Sequence, residues 1–296
     1  MGAPLSPDHL AYLARLGVEP EAPSVEALFR LHRASTARVA WETLWIHLGD
    51  RWTTDPAESV ARIGARGRGG YCYHLNGAFS DLLAALGYDV ARHIGGVHGA
   101  PEPADTDLRN HLVLTVAGLP SDANPSGTWY VDVGLGDTLH EPLPLVAGPY
   151  RSGPYELALD DDVAMADWHL HHDPAGSFRG MIWLAAPTDM SAFADTHTFL
   201  STSPESMFTQ LLLVQRRDPD ASDILMGLVL RRVGEGAMTR TLEQHADLEA
   251  ALVDVFGLDL SATDRERLAE IWPGLRQSHD AWQAALAAAP PAPGAD

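Results

Sequence analysis

The 296-residue sequence predicts an α+β protein: helices first, then short antiparallel strands, then a mixed α/β part. Three observations carry this. Apolar residues recur with a helical period through the first 88 residues. From Tyr88 the pattern changes to short β-rich runs broken by Gly, Pro, Asp and Asn clusters. Beyond about Thr196, strand-like and helix-like runs alternate, and the length itself is generous for a single core.

Taken in order, Ser6-Pro7 supplies an N-cap and a proline at the first helical position, and Gly17 closes that helix. Ser24 opens a second helix with Val25, Leu28, Phe29 and His32 on one face. Asp55-Pro56 starts a third, expected to end around Gly64. In the fourth, Leu75, Phe79, Leu82, Leu83 and Leu86 share a face, and Gly87 is the left-handed stop. Gly69 and Gly70 propagate a helix poorly, so this one starts near Tyr71 or Cys72. Strands are expected at 89–97, 110–117, 128–135, 155–159, 180–184, 209–216 and 224–233, a spacing that suits an antiparallel barrel or sandwich. Residues 100–103 and 119–127 are connections. Helices at 242–256, 262–271 and 278–288 follow, and Pro290-Pro291-Ala292-Pro293-Gly294 reads as a disordered tail. The segments are therefore 1–88, 89–195, 196–288 and the tail 289–296.

Composition excludes several functions. A net charge of −20 argues against nucleic acid and anionic membranes as partners. All 20 basic residues are Arg, so no Schiff-base or phosphate-loop lysine exists. No apolar run approaches the roughly 18 residues of a membrane span, and the N-terminus lacks the pattern of a secretory signal. The single cysteine rules out an internal disulfide and fits a reducing, cytoplasmic compartment.

That cysteine lies in Arg68-Gly69-Gly70-Tyr71-Cys72-Tyr73-His74-Leu75-Asn76. In the first turn of a helix, free N–H groups and the helix dipole favour a thiolate. The alternative is a small buried core residue. The glycines, which let another molecule approach the backbone, and Tyr71 and Tyr73, which suit a pocket wall, favour a nucleophile. A nucleophile needs a base and an orienting group. His111 heads the apolar run 111–116, and Asp132 is a single carboxylate inside what reads as an apolar strand. A charge there needs a partner, and antiparallel pairing of the two segments would bring His111 to it. A strand-end His in water and an Asp satisfied by backbone amides are the alternatives. Trp168-His169-Leu170-His171-His172-Asp173 suggests a zinc site, but without a catalytic water-binding pattern it reads as a solvated His-rich turn, and no metal is expected.

The stretch 68–76 resembles the Arg-Gly-Gly-aromatic-Cys-aromatic-Glu-x-Asn signature of the arylamine N-acetyltransferases. His111 at a strand start and Asp132 in Val-Asp-Val-Gly-x-Gly match that family's catalytic His and Asp. Val39-Ala40-Trp41-Glu42-Thr43-Leu44, the run 199–208, Gln215-Arg216-Arg217 and Val255-Phe256-Gly257-Leu258 extend the likeness along nearly the whole chain. The resemblance implies a helical bundle, an antiparallel β-barrel and an α/β lid around a papain-like Cys-His-Asp core. It implies an acyl group moving from acetyl-CoA through Cys72 to an arylamine, hydrazine or hydroxylamine nitrogen. Trp41, Tyr71, Tyr73, His74, Gly134, Gly136 and Phe208 would then border the substrates. The chain departs from the signature at His74 (Glu in the family), at Ala40 and Trp41 (Pro and Phe) and at Thr43 (Asn). These departures bear on which amine or acyl donor fits. The family also resembles amide synthases that draw on a carrier-protein thioester, a second reading that an acidic chain fits poorly unless its arginines cluster. Hydrolysis through the same triad and a non-catalytic binding protein are further readings.

Overall fold

The structure, a computed structural model, describes residues 5–163 and 165–288. The tail expected at 289–296 lies outside the described residues. The helical part opens with α1 (Pro7–Leu16), where Ser6 Oγ accepts from the His9 N–H, and α2 (Val25–Arg38), capped by Ser24. A two-residue strand β1 (Trp41–Glu42) and a single turn α3 (Leu44–His47) follow. Helix α4 (Pro56–Arg66) runs past the expected stop at Gly64 and ends at Gly67, φ 61°. Gly64 stays helical because α1 packs onto it: a Cβ there would stand 3.0 Å from both Ala11 Cβ and Tyr12 N. Helix α5 (Cys72–Leu86) starts with the cysteine and ends at left-handed Gly87.

The middle part holds β2 (Asp89–His98), β3 (His111–Ala117), β4 (Trp129–Val131), β5 (Leu143–Pro144), β6 (Gly148–Ser152), β7 (Tyr155–Val163), β8 (Ala166–His171) and β9 (Gly180–Pro187). Their order, β5-β4-β3-β2-β9-β8-β7-β6, makes a nearly closed antiparallel barrel. The expected strand 128–135 stops at Val131. Beyond it the Val133 N–H donates to Asn76 Oδ1 and the Gly134 N–H to Asp132 Oδ1, so neither joins the ladder. Asp132 therefore sits just past a strand end, not inside a strand. The His-rich stretch is no solvated turn either. It is mostly strand β8, with His169 and His172 buried and His171 exposed.

The last part begins with α6 (Ala194–Thr202) and α7 (Met207–Gln210). Strands β10 (Leu213–Arg217), β11 (Ala221–Met226), β12 (Val229–Gly234) and β13 (Met238–Thr241) follow, then α8 (His245–Ala250), a π turn at Ala251–Val255 and α9 (Ala262–Ala288). The expected strand 209–216 begins as helix because Ser206 Oγ caps the Phe208 N–H. The expected strand 224–233 is a hairpin that turns at left-handed Gly227. The two helices expected at 262–271 and 278–288 are one, continuous through Pro273. Burial of Leu268 and Leu275 in the adjoining core offsets the hydrogen bond that proline forfeits. The second sheet runs β1-β10-β11-β12-β13, with Trp41 opposite Gln215, so a strand from the helical part closes its edge.

The largest core lies between the helices and β3–β4 and includes Cys72. One ion pair fixes the backbone ahead of α5: Arg68 Nε donates to Glu42 Oε1 at 2.9 Å, with neither side chain exposed. The Glu42 N–H in turn donates to the Gly70 carbonyl. Removing one partner of a buried pair leaves the other charge uncompensated, which costs about 3–5 kcal/mol. Glu42→Gln is therefore expected to lower stability by about that amount, measured by urea unfolding. A change below about 1 kcal/mol would contradict this account of the segment.

Candidate active site

Cys72 is the first residue of α5, with Tyr71 as the N-cap and Gly69-Gly70 before it. The glycines serve the protein's own packing, not the approach of another molecule. A Cβ on Gly69 would stand 2.2 Å from the Ala40 carbonyl oxygen; Gly70 has φ +80°, and a Cβ there would stand 2.6 Å from His74 Nδ1. This tight entry aims the cysteine across the barrel rim. Its Sγ lies 3.6 Å from the Asn110 carbonyl, and Cys72 shares the lining of one cleft with the His111 ring. His111 heads β3 and holds Asp132 Oδ2 at 2.8 Å through Nε2, which leaves Nδ1 for the sulfur.

The Asp132 carboxylate accepts on both oxygens. Oδ2 takes His111 and the Tyr130 hydroxyl, the latter at 3.0 Å; Oδ1 takes Asn76 Nδ2 at 2.8 Å and the Gly134 N–H at 2.9 Å. Asn76 also donates to the Leu112 carbonyl, so one side chain of α5 ties the helix to both flanks of the site. Burial alone would pull the His111 ring down. The negative charges of Asp132 and Cys72 and the bond to Asp132 outweigh burial and raise it to about 10. The ring is thus an imidazolium at neutral pH. Beneath it, His32 donates from Nδ1 to the His140 carbonyl and accepts the Asp132 N–H on Nε2 at 3.3 Å. Burial pushes His32 down to about 4, against its bond to the His140 carbonyl and the charge of Asp132, so this second imidazole is neutral.

Asn76, Tyr130 and His32 had no assigned role in the sequence reading. Two of them carried a signal: Asn76 is one helical turn after Cys72, and Tyr130 is two strand positions before Asp132.

Cys72 and His111 open onto a cleft of about 330 Å³ bordered by Trp41, Gly134, Phe178, Phe208, Leu213 and Gln215, among others. Trp41 and Phe208 meet nearly at right angles, 5.4 Å between ring centres. Of the residues expected to border the substrates, Trp41, Gly134 and Phe208 border this cleft. Gly134 must lack a side chain there, since a Cβ would come within 2.9 Å of Cys72 Cα. Gly136 borders a small recess beside the cleft, its α-carbon against Gln215.

Tyr71, Tyr73 and His74 do not border the cleft. They are fully buried behind it in an aromatic cluster with Trp45, Trp52, Phe193 and His197. Tyr71 OH meets His197 Nδ1 at 2.6 Å, and His197 Nε2 donates to the Trp52 carbonyl at 2.8 Å. Burial, reinforced by the nearby Arg62 cation, holds His74 well below the ordinary imidazole range, and among the described residues neither of its ring nitrogens has a partner in hydrogen-bonding geometry. The substitution at this signature position therefore alters the wall behind the nucleophile, not the cleft itself.

The geometry can be set beside known proteins. Residues 24–265 match the family model described as N-acetyltransferase. The chain belongs to the arylamine N-acetyltransferase family. It is 33% identical over 267 residues to an arylamine N-acetyltransferase of Mycolicibacterium smegmatis, covering 84% of this chain and 91% of that protein. The solved Salmonella typhimurium arylamine N-acetyltransferase superposes with a TM-score of 0.77 at 26% identity, over 91% of this chain and 99% of that one. The Mycobacterium marinum enzyme, solved in complex with CoA, gives 0.75 at 29% identity over 88% and 96%. The α+β architecture expected from the sequence is that of these arylamine N-acetyltransferases.

Neutral His32 makes a pH prediction. Below about 6.5 the unfolded chain protonates this imidazole, while the folded one resists down to about 4. The unfolded state then binds more protons, so stability falls as pH drops through that window, by about 3 kcal/mol at pH 4 from this group. Urea unfolding at pH 7 and pH 4.5 is expected to show a smaller loss for His32→Gln than for the wild type. An equal loss would contradict the assignment.

Proposed function

We propose that Cys72, His111 and Asp132 carry an acetyl group from acetyl-CoA to the nitrogen of an arylamine, hydrazine or hydroxylamine. The observation that carries this is the alignment of sulfur, imidazolium and carboxylate at a helix N-terminus opening on an apolar cleft. The Cys72 thiolate attacks the thioester carbonyl, and the first-turn N–H groups of α5 lie beside the oxyanion that forms. The carbon–sulfur bond to CoA breaks, and the leaving thiolate takes a proton from His111. The amine then attacks the acetyl-cysteine, His111 accepts the proton it sheds, and the Cys72 thiolate departs. Exchange between two thioesters is nearly energy-neutral, and an aromatic amine is unprotonated at pH 7, so one imidazole suffices for both halves.

On this reading residues 1–88 supply the nucleophile, 89–195 the His and Asp, and 196–288 a lid whose Phe208 and Gln215 cover the cleft. A thiolate that must stay reduced suits the cytoplasm. The test is kinetic. Cys72→Ser is expected to lose turnover with acetyl-CoA and aniline, and Asp132→Asn to lose roughly 10³–10⁴-fold in kcat, because the ring loses its orienting acceptor. Cys72→Ser that turned over like the wild type would sink the assignment.

A further inference from the structure

We infer that the acceptors served by this cleft are uncharged, apolar aromatic amines, and that amines bearing a carboxylate are rejected. The inference rests on the acyl-transfer reading and adds its substrate class. The chain has no lysine, and among the described residues no arginine, aspartate or glutamate borders the cleft. Its walls include Trp41, Leu200, Phe208, Leu213, Ile224 and Met226, with a few polar side chains among them.

Two of those polar groups are already committed. Both ends of the Asn110 amide bond the Val97 backbone, and Gln215 Nε2 donates to Ser177 Oγ at 3.0 Å. The arginines near in sequence are engaged or turned elsewhere. Arg216 alternates with Gln215 along β10 and borders a separate groove with Asp223 and Arg232. Arg217 is buried and donates to the Thr138 and Ser152 carbonyls. Arg109, beside Asn110, is exposed and outside the lining.

A carboxylate carried into this space would shed water and meet no cation besides the His111 ring, whose charge is already balanced by Asp132 at 2.8 Å, within a protein whose net charge is −20. A neutral ring, by contrast, finds the perpendicular faces of Trp41 and Phe208.

The experiment uses protein acetylated beforehand on Cys72, so the phosphates of CoA play no part. The acyl-enzyme is discharged with 4-aminophenylacetate or with its methyl ester, whose methylene spacer keeps the two amines alike in basicity. The ester is expected to react roughly 10²-fold faster at limiting concentration. Met207→Arg places a cation on the lining at a side chain that is 56% exposed, where a guanidinium can be hydrated. It is expected to reduce that preference by about tenfold or more. Equal rates for acid and ester in the wild type would overturn the inference, and so would a preference that the added cation leaves unmoved. Discharge by neither amine would overturn the transfer reading itself.

Discussion

Both oxygens of the Asp132 carboxylate are engaged, by an imidazole, a tyrosine hydroxyl, a carboxamide and a backbone N–H. These donors come from α5, from the head of β3, from β4 and from the turn after it. The carboxylate is thus the point at which helical part and barrel are held in register. A buried carboxylate is tolerable only with such a set of donors, and the donors in turn hold His111 with one nitrogen left for sulfur. The neutral His32 beneath it supports the same backbone without adding a second positive charge.

The placement of the sulfur depends on a different kind of constraint. Gly69 and Gly70 bring the chain against Ala40 and His74, and the Arg68–Glu42 pair pins the preceding residue to β1. Because β1 is also the edge of the second sheet, Trp41 and Gln215 become neighbours across one ladder. One short strand therefore joins the backbone that aims Cys72 to the sheet that covers the cleft. The apolar character of that cleft follows from which faces of β10 and β11 turn inward.

Much of this was legible in the sequence where a local rule acts alone. Ser6, Ser24 and Asp55 cap the helices they announce, and Gly17 and Gly87 stop them, because caps and left-handed glycines depend on few neighbours. Cys72, His111 and Asp132 stood out through charge and position in otherwise apolar runs. Legibility failed where tertiary packing overrides a local signal. Gly64 looked like a stop but is a contact point for α1, and Pro273 looked like a break in a helix that a core holds together. The His-rich stretch looked solvated because exposure of alternate strand residues depends on the barrel. Tyr71, Tyr73 and His74 looked like cleft walls because proximity to a nucleophile in sequence says nothing of which way a helix face turns. Asn76 lay in plain view in the motif, yet its role needs three chain segments to be brought together.

The account depends on sulfur carrying the acyl group between donor and nitrogen. Intact-mass measurement after incubation with acetyl-CoA and no amine tests it most directly. The protein should gain one acetyl group, mapped to Cys72 and lost on adding aniline. Protein that stays unmodified, or that carries its acetyl group on another residue, would contradict the account.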